Sequence, residues 1–131
     1  MASANPTLVV YVVDDDTDVL GSLRFLLETD GFTVRTFRSG AAILNGNGAV
    51  EADCFVIDYK MPGMSGIDLA NRLRHHHAGT PIILITGYPD ESIQEKATAA
   101  GISHVLLKPH IEDSLISHIR GAIRDNRPAG L

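Results

Sequence analysis

The chain has 131 residues, 44% of them hydrophobic, which is enough for one folded domain with its own core. Its 16 acidic residues outnumber its 11 Lys and Arg residues and give a net charge of −5, which argues against a surface built to bind nucleic acid phosphates. Cys54 is the only cysteine, so the sequence excludes an internal disulfide and a CxxC metal or redox motif, and it fits a reducing cytosol.

Neither a leader peptide nor a membrane span is predicted. Met1 to Thr7 lack the basic start and apolar run of a signal peptide, and no stretch approaches the ~20 apolar residues that a membrane helix needs. We therefore expect a cytoplasmic protein without membrane contacts. Its predicted organisation is an N-terminal tail over residues 1–7, a folded domain over 8–124, and a C-terminal tail or the start of a linker over 125–131.

The chain begins with a strand and a helix. The continuous Val-rich run from Leu8 to Val13 is typical of a strand that is buried on both faces. Asp16 or Thr17 can cap the next helix, whose apolar residues recur at helical spacing, and Gly31 can end it.

Four further pairs of a strand and a helix follow. The predicted strands are Phe32–Phe37, Cys54–Ile57, Ile82–Ile85 and Val105–Leu107, and the helices that follow them run over about residues 41–44, 67–76, 91–100 and 112–124. Five strands that alternate with five helices through short connections predict an α/β fold. Right-handed crossovers favour a five-stranded parallel sheet of order 2-1-3-4-5, doubly wound by the helices.

Polar residues fall at the carboxyl ends of four of these strands. They are Asp14, Asp15, Asp58, Thr86 and Lys108. In open α/β sheets, ligands bind outside the strand ends where the strand order reverses, here between the first and third strands. The three carboxylates are therefore expected to converge in one crevice.

Such a crevice is suited to bind a cation and a phosphoryl group. Three crowded carboxylates repel one another unless a cation is bound, and oxygen ligands suit Mg²⁺. Lys108 adds an ammonium group and Thr86 adds a hydroxyl. Together these groups form a cradle for a phosphoryl group, and a carboxylate can itself accept that group.

The same residues carry a family resemblance. The strings Val12-Val13-Asp14-Asp15-Asp16, Ile57-Asp58-Tyr59-Lys60-Met61-Pro62-Gly63-Met64-Ser65-Gly66, Thr86-Gly87 and Lys108-Pro109 resemble the receiver domain of bacterial two-component response regulators. The resemblance spans about Leu8 to Arg124. It implies that Asp58 accepts a phosphoryl group from a histidine-phosphorylated sensor kinase or a histidine phosphotransfer protein.

The resemblance also implies a magnesium site. Asp15, Asp58 and the backbone carbonyl of Lys60 would hold Mg²⁺, and Asp14 would act largely through water. Such a protein is not an enzyme in the usual sense, but a phosphoacceptor that assists its own phosphorylation and dephosphorylation.

A conformational switch is implied as well. Lys108 would pair with Asp58 and later with a phosphoryl oxygen, and Thr86 would swing toward the phosphoryl group. A cis peptide bond is implied before Pro109. The face formed by the fourth helix, fifth strand and fifth helix would then bind an effector or a second copy of the chain, without direct contact to nucleic acid.

The sequence departs from the family pattern at several positions. The family commonly has Tyr or Phe three residues before the lysine, where this chain has Val105, and it often has Phe at the position of His110. Tyr88 and His104 are the candidates to replace the aromatic switch; the alternative interpretation is that both are ordinary surface residues.

Two bulky residues lie beside the predicted site. Lys60 follows Asp58 by two residues and Tyr88 follows Thr86 by two. In the family these positions flank the path of the hydrolytic water, so we expect both side chains to slow self-dephosphorylation.

Other functions are weaker alternatives. An aspartyl-nucleophile phosphatase needs a second Asp two residues after the nucleophile; Asp58 has Lys60 there, whereas Asp14 has Asp16, but the chain lacks room for a cap domain. A flavin-binding module would need a Ser/Thr/Gly-rich loop where the three acids lie. A metal site at His75-His76-His77 is disfavoured because consecutive helical residues do not share a face.

Within the receiver interpretation, the chain is either a free-standing regulator or a truncated receiver of a larger transcriptional regulator or hybrid kinase.

Overall fold

A computed structural model describes residues 7–45, 52–75, 79–87, 90–108 and 112–126. In chain order the elements are β1 (Val9–Val13), α1 (Thr17–Thr29), β2 (Thr33–Phe37), α2 (Gly40–Asn45), β3 (Cys54–Asp58), α3 (Gly66–Leu73), β4 (Ile82–Thr86), α4 (Glu91–Ala99), β5 (His104–Leu107) and α5 (Glu112–Asn126). The strands form one parallel sheet in the order β2-β1-β3-β4-β5. The predicted fold class and strand order are confirmed.

The apolar runs become strands that are covered on both faces. Successive side chains of a strand point to opposite sides of the sheet, so each central strand contributes to two cores. One core contains Val10, Val12, Val56, Ile83 and Ile85 together with the apolar stripes of α1 and α5. The other contains Tyr11, Val13, Phe55, Ile57 and Leu84 together with residues of α2, α3 and α4. All residues of β3 and β4 are buried, as their continuous hydrophobic sequences predict.

The ends of α1 follow from its sequence. The Asp16 side chain accepts hydrogen bonds from the backbone N–H groups of Asp18 and Val19, so Asp16 is the N-cap residue and Thr17 is the first helical residue. After the helix, Gly31 adopts a φ of +99°, a conformation that residues with a Cβ rarely adopt. Of the two predicted cap residues, Asp16 and Thr17, Asp16 is therefore the cap, and the predicted stop at Gly31 is confirmed.

Helix α3 is shorter than predicted. Ser65 and Asp68 form a reciprocal capping box at its start, but the helix ends at Leu73 rather than at residue 76. The backbone N–H of His75 bonds to the carbonyl of Arg72, an i to i−3 bond that tightens the chain into a turn. His75 is exposed, and His76 and His77 lie outside the described residues.

The outer limits of the domain are less closely defined. Helix α5 continues to Asn126, two residues beyond the predicted boundary at 124. Residues 1–6 and 127–131 lie outside the described part of the chain, so the division into two tails and a domain stays a prediction. Among the described helices, none combines the length and the apolar character needed to cross a bilayer.

The sheet register brings four strand ends to one edge. Asp58 pairs with Ile85 across β3 and β4, and Thr86 pairs with Leu107 across β4 and β5. Beyond the last pair, the backbone N–H of Lys108 donates to the carbonyl of Thr86 at 2.9 Å. The sheet therefore fixes the residues at the ends of β1, β3, β4 and β5 relative to one another.

Candidate functional site

Three carboxylates meet at this edge of the sheet. Asp14 and Asp15 follow β1, Asp58 ends β3, and each offers one oxygen atom within 4.8 Å of the oxygens of the other two. Asp14 and Asp58 are only 2% and 6% exposed, whereas Asp15 is exposed to solvent. The predicted convergence of the three distant acids is confirmed.

Local hydrogen bonds hold Asp14 in place. Its backbone N–H donates to the carbonyl of Phe37 at the end of β2, and its Oδ1 accepts from the backbone N–H of Asp16 at 2.9 Å. Asp16 in turn caps α1, so the turn from β1 into α1 orients the first acid of the cluster.

Lys108 supplies the positive charge of the site. Its Nζ lies 2.9 Å from Asp58 Oδ1 and 3.9 Å from Asp14 Oδ2. The lysine side chain is 34% exposed, so its ammonium group reaches from the rim into the cluster of buried carboxylates. Lys108 and Asp58 form the ion pair that the sequence predicts.

Burial changes the proton affinities of these groups. It raises the pKa of Asp14 to about 6, although the hydrogen bond from Asp16 opposes the rise. Burial also raises the pKa of Asp58, and this effect outweighs the lowering by Lys108. For Lys108, burial alone would lower the pKa, but the hydrogen bond to Asp58 and the neighbouring acids leave it raised. The site therefore carries more negative charge than one ammonium group can neutralise.

An open cleft of about 450 Å³ lies above these groups. It is lined by Asp14, Asp15, Asp16, Asp58, Lys60, Thr86, Gly87 and Lys108. Thr86 is the last residue of β4 and is 2% exposed, whereas Lys60 and Gly87 are exposed. The cleft thus brings together the five residues that the strand ends indicate, and it adds Lys60 as a second cation.

The donor set fits a hard divalent cation. Carboxylate oxygens, with open space for water, are the ligands that Mg²⁺ prefers, and a dication would relieve the repulsion among the three acids. Lys60 lies on the wall of the same cleft. The ligand role of its backbone carbonyl, and the water-mediated role of Asp14, stay predictions.

Gly66 is a further residue on which the site depends, and sequence reasoning did not assign it a role. Its N–H donates to the carbonyl of Tyr59 at 2.8 Å. A Cβ at this position would collide with the Asp58 carbonyl and would lie 2.8 Å from Leu84 Cδ1. A glycine in the first turn of a helix gives a weak signal, since the reason for it lies in contacts across the fold.

Val105 and His104 differ in their surroundings. Val105 is half-buried and lines a second cleft of about 290 Å³ between α4 and β5; the other lining residues are Thr86, Asp90, Glu91, Ile93, Gln94 and Leu107. His104 is half-buried, and its ring contacts that of His118 in α5. Tyr88 lies outside the described residues, as do Pro109, with its implied cis bond, and His110.

Comparison with known proteins finds relatives that match most of the chain. A family model for the response regulator receiver domain matches residues 10–120. The transcriptional regulatory protein FixJ of Bradyrhizobium diazoefficiens is 37% identical over 120 residues, and the response regulator protein TmoT of Ectopseudomonas mendocina is 38% identical over 116 residues. These alignments cover 92% and 88% of this chain but only 58% and 53% of the relatives, so the chain spans about half the length of the proteins it matches.

The likeness extends to three dimensions. The crystal structure of full-length FixJ from B. japonicum superposes with a TM-score of 0.84 at 35% sequence identity. The superposition covers 95% of this chain and 62% of FixJ.

Proposed function

Because the chain belongs to the family of response regulator receiver domains, we propose that it is a phosphorylation switch in which Asp58 accepts a phosphoryl group from a histidine-phosphorylated sensor kinase or phosphotransfer protein. One observation carries this proposal: the Asp58 carboxylate lies in an open cleft, paired with Lys108 at 2.9 Å, within a cluster of two further acids. We further propose a cytoplasmic location for this switch.

The arrangement supports attack by the carboxylate. Lys108 holds Oδ1 of Asp58, which orients the carboxylate and leaves its other oxygen to attack phosphorus. As the new O–P bond forms, the P–N bond to the donor histidine breaks and the imidazole nitrogen leaves with the electron pair. Lys108 can then bind a phosphoryl oxygen, and the product is an acyl phosphate on Asp58.

Asp15, Asp58 and the carbonyl of Lys60 would hold Mg²⁺ in this cleft, with Asp14 acting through water. The bound ion would neutralise charge on the carboxylates and on the transferring phosphoryl oxygens. The chain itself orients the Asp58 carboxylate through its ion pair with Lys108. We propose no multiple-turnover activity, and in this respect the protein differs from an aspartyl-nucleophile phosphatase.

The proposed site is tested by intact-mass analysis after incubation with acetyl phosphate and Mg²⁺. We expect one phosphoryl group on the original chain, none on Asp58→Asn, and an unchanged label on the control Asp18→Asn, which alters an exposed acid in the first turn of α1. Label on Asp58→Asn, or no label on the original chain, would refute the site. Continued release of phosphate with excess phosphate ester would favour the phosphatase instead.

Thr86 is the proposed link between phosphorylation and output. It lines both the acidic cleft and the second cleft beside Val105, so a movement of its hydroxyl toward the phosphoryl group changes both. The surface of α4, β5 and α5 would then bind an effector or a second copy of the chain. The position of His104 in β5 makes it part of this surface.

Lys60 and Tyr88 are proposed to set the lifetime of the phosphorylated state. Lys60 lines the acidic cleft and is exposed there, where its long side chain can obstruct water. We expect the phosphorylated form to decay faster after both residues are replaced by Ala, with Lys96→Ala, a change in α4, as the control. Equal decay rates for the double variant and the original chain would contradict this role.

A second candidate is a receiver that forms part of a longer protein. It is favoured by the relatives FixJ, a transcriptional regulatory protein, and TmoT, a response regulator protein, because the chain covers only 58% and 53% of their lengths. In that case the output would come from a further domain of the same protein. The gene sequence downstream of the codon for Leu131 distinguishes the two, because a stop codon there identifies a free-standing regulator.

A further inference from the structure

Two histidines meet between β5 and α5, away from the acidic cleft. His104 is the first residue of β5, and His118 lies in the second turn of α5. Their ring centroids are 4.7 Å apart, and the ring planes make an angle of 71°. Both residues are half-buried, so solvent reaches the pair while the strand and the helix hold the rings in place.

The hydrogen bonds of the pair leave nitrogen atoms available. Nδ1 of His118 lies 2.8 Å from the carbonyl oxygen of Ser114. Because a carbonyl only accepts, Nδ1 carries the hydrogen, and Nε2 of the neutral ring keeps its lone pair. Within the described part of the chain, neither ring has another hydrogen-bond partner. A histidine that donates one ring N–H to a backbone carbonyl and keeps the other nitrogen bare has the usual arrangement of a metal-bound imidazole.

The spacing of the rings also suits a shared metal ion. With Zn–N bonds of about 2.0–2.1 Å, each ring centroid lies about 3.2 Å from the metal, so two rings at an angle of about 90–110° have centroids about 4.5–5.2 Å apart. The observed separation of 4.7 Å lies within this interval.

We propose that His104 and His118 form a binding site for a divalent transition-metal ion of the zinc type, with water in the remaining positions. This site differs chemically from the carboxylate cluster, because imidazole nitrogen selects Zn²⁺, Ni²⁺ or Cu²⁺ over Mg²⁺. It is also separate in space, since His104 precedes Lys108 by four residues, about 13 Å along an extended strand. The proposal does not depend on phosphorylation of Asp58.

Binding at this site would have a structural effect. Within the described residues, β5 pairs with one neighbour only, β4, and a metal ion would join it to α5 through a second connection. The ion would thereby restrain the strand that precedes Lys108, on the surface proposed for effector binding.

The test must separate this site from two competitors. The adjacent histidines His75-His76-His77 offer other imidazole groups to added Zn²⁺, so all three are replaced by Gln in the protein used. The acidic cleft is kept saturated with Mg²⁺, and the protein carries no histidine tag. Zn²⁺ is then titrated by calorimetry, while the ring signals of His104 and His118 are followed by NMR.

We expect one saturable Zn²⁺ site per chain, with shifts of both ring signals at the same Zn²⁺ concentration. His104→Gln and His118→Gln should each abolish that site and keep Mg²⁺ binding in the acidic cleft, which verifies that the variants are folded. Absence of saturable binding, a response from only one ring, or unchanged Zn²⁺ binding in both variants would overturn the proposal. The ring signals alone decide the outcome if a variant fails to fold.

Discussion

Strands β3 and β5 both lead into residues of the acidic cleft, but they differ in their position in the sheet and in their burial. β3 lies between β1 and β4, all five of its residues are buried, and it ends at Asp58. In the part of the chain that the structure describes, β5 pairs with β4 alone, and of its four residues only Leu106 is buried. Lys108 follows this edge strand directly.

The difference between β3 and β5 corresponds to two requirements of the proposed phosphorylation switch. A nucleophile needs a fixed position, and a strand with two neighbours and two covered faces provides it. Lys108, the counter-ion of the proposed nucleophile Asp58, instead follows a strand that has one free edge within the described residues and partly exposed side chains. If Asp58 is phosphorylated as proposed, the change in its charge acts directly on Lys108, which follows the strand with the partly exposed side chains.

The comparison is tested most strongly by removing one side chain from each strand. Ile57 in β3 is fully buried, and Ile57→Ala should lower the free energy of unfolding by about 2–5 kcal/mol, because it leaves a cavity in the core. Leu107 in β5 is 48% exposed, and Leu107→Ala should change it by less than about 0.5 kcal/mol. Denaturant unfolding of both variants measures the two changes in the free energy of unfolding. Similar decreases for both variants would mean that side chains of β5 stabilise the fold as much as those of β3.

A glycine pair tests how rigidly the end of β3 is held. Gly66→Ala should destabilise the protein by about 1–3 kcal/mol, because the new Cβ meets the carbonyl of Asp58, which ends a strand that is paired on both sides. Phosphorylation of Asp58 should slow as well. Gly21→Ala is the matched control: nothing lies within 4 Å of its new Cβ, and an exposed helical alanine should stabilise by about 0.5–1 kcal/mol. If both substitutions have the same sign, the packing around Gly66 is looser than the structure indicates.

The two glycines also mark how far sequence reasoning reaches. The strand ends, and hence the meeting of Asp14, Asp15 and Asp58, could be predicted because parallel strands end at one edge and apolar runs define where they end. The need for Gly66 could not, since it depends on Leu84 and on the backbone of Asp58, which are neighbours only in the folded chain.

The same limit applies to other features. The contact of His104 with His118 depends on how α5 packs on β5, which no local period encodes. The early end of α3 depends on a turn at Arg72 to His75, where the helical sequence pattern continues past the actual helix. Local patterns thus predict elements and edges, whereas contacts between elements set the details of the site.

Replacement of the buried acid Asp14 is expected to stabilise the protein, whereas Ile57→Ala and Gly66→Ala are expected to destabilise it. A folded-state pKa raised from 3.8 to about 6 means that protonation of Asp14 favours folding. This contribution is fully present below pH 3.8 and is lost as the pH rises through about 6. Asp14→Asn should therefore stabilise the metal-free protein at neutral pH, by about 1–3 kcal/mol once solvent screening in the open cleft is allowed for.

The measurement is denaturant unfolding of both proteins as a function of pH, first without divalent cations. The advantage of Asp14→Asn should vanish below pH 3.8, where the original side chain is already protonated in both states. Added Mg²⁺ should stabilise the original chain more than the variant. A constant difference across the pH range would contradict the raised pKa.

The smallest expected effect on stability concerns Val105, where the edge strand meets the second cleft. Val105→Tyr introduces a ring beside a cleft of about 290 Å³ that Thr86 also lines, and the free energy of unfolding should change by less than about 1 kcal/mol, because the ring can lie in the cleft or outside it. If Thr86 moves on phosphorylation, the space open to that ring changes, so its NMR signals should differ between the free and phosphorylated forms. Phe25→Tyr is the matched control, since it places the same ring at an exposed position of α1, which does not line this cleft. An introduced ring at position 105 that responds no more than this control would mean that the signal from Asp58 does not reach β5 through Thr86.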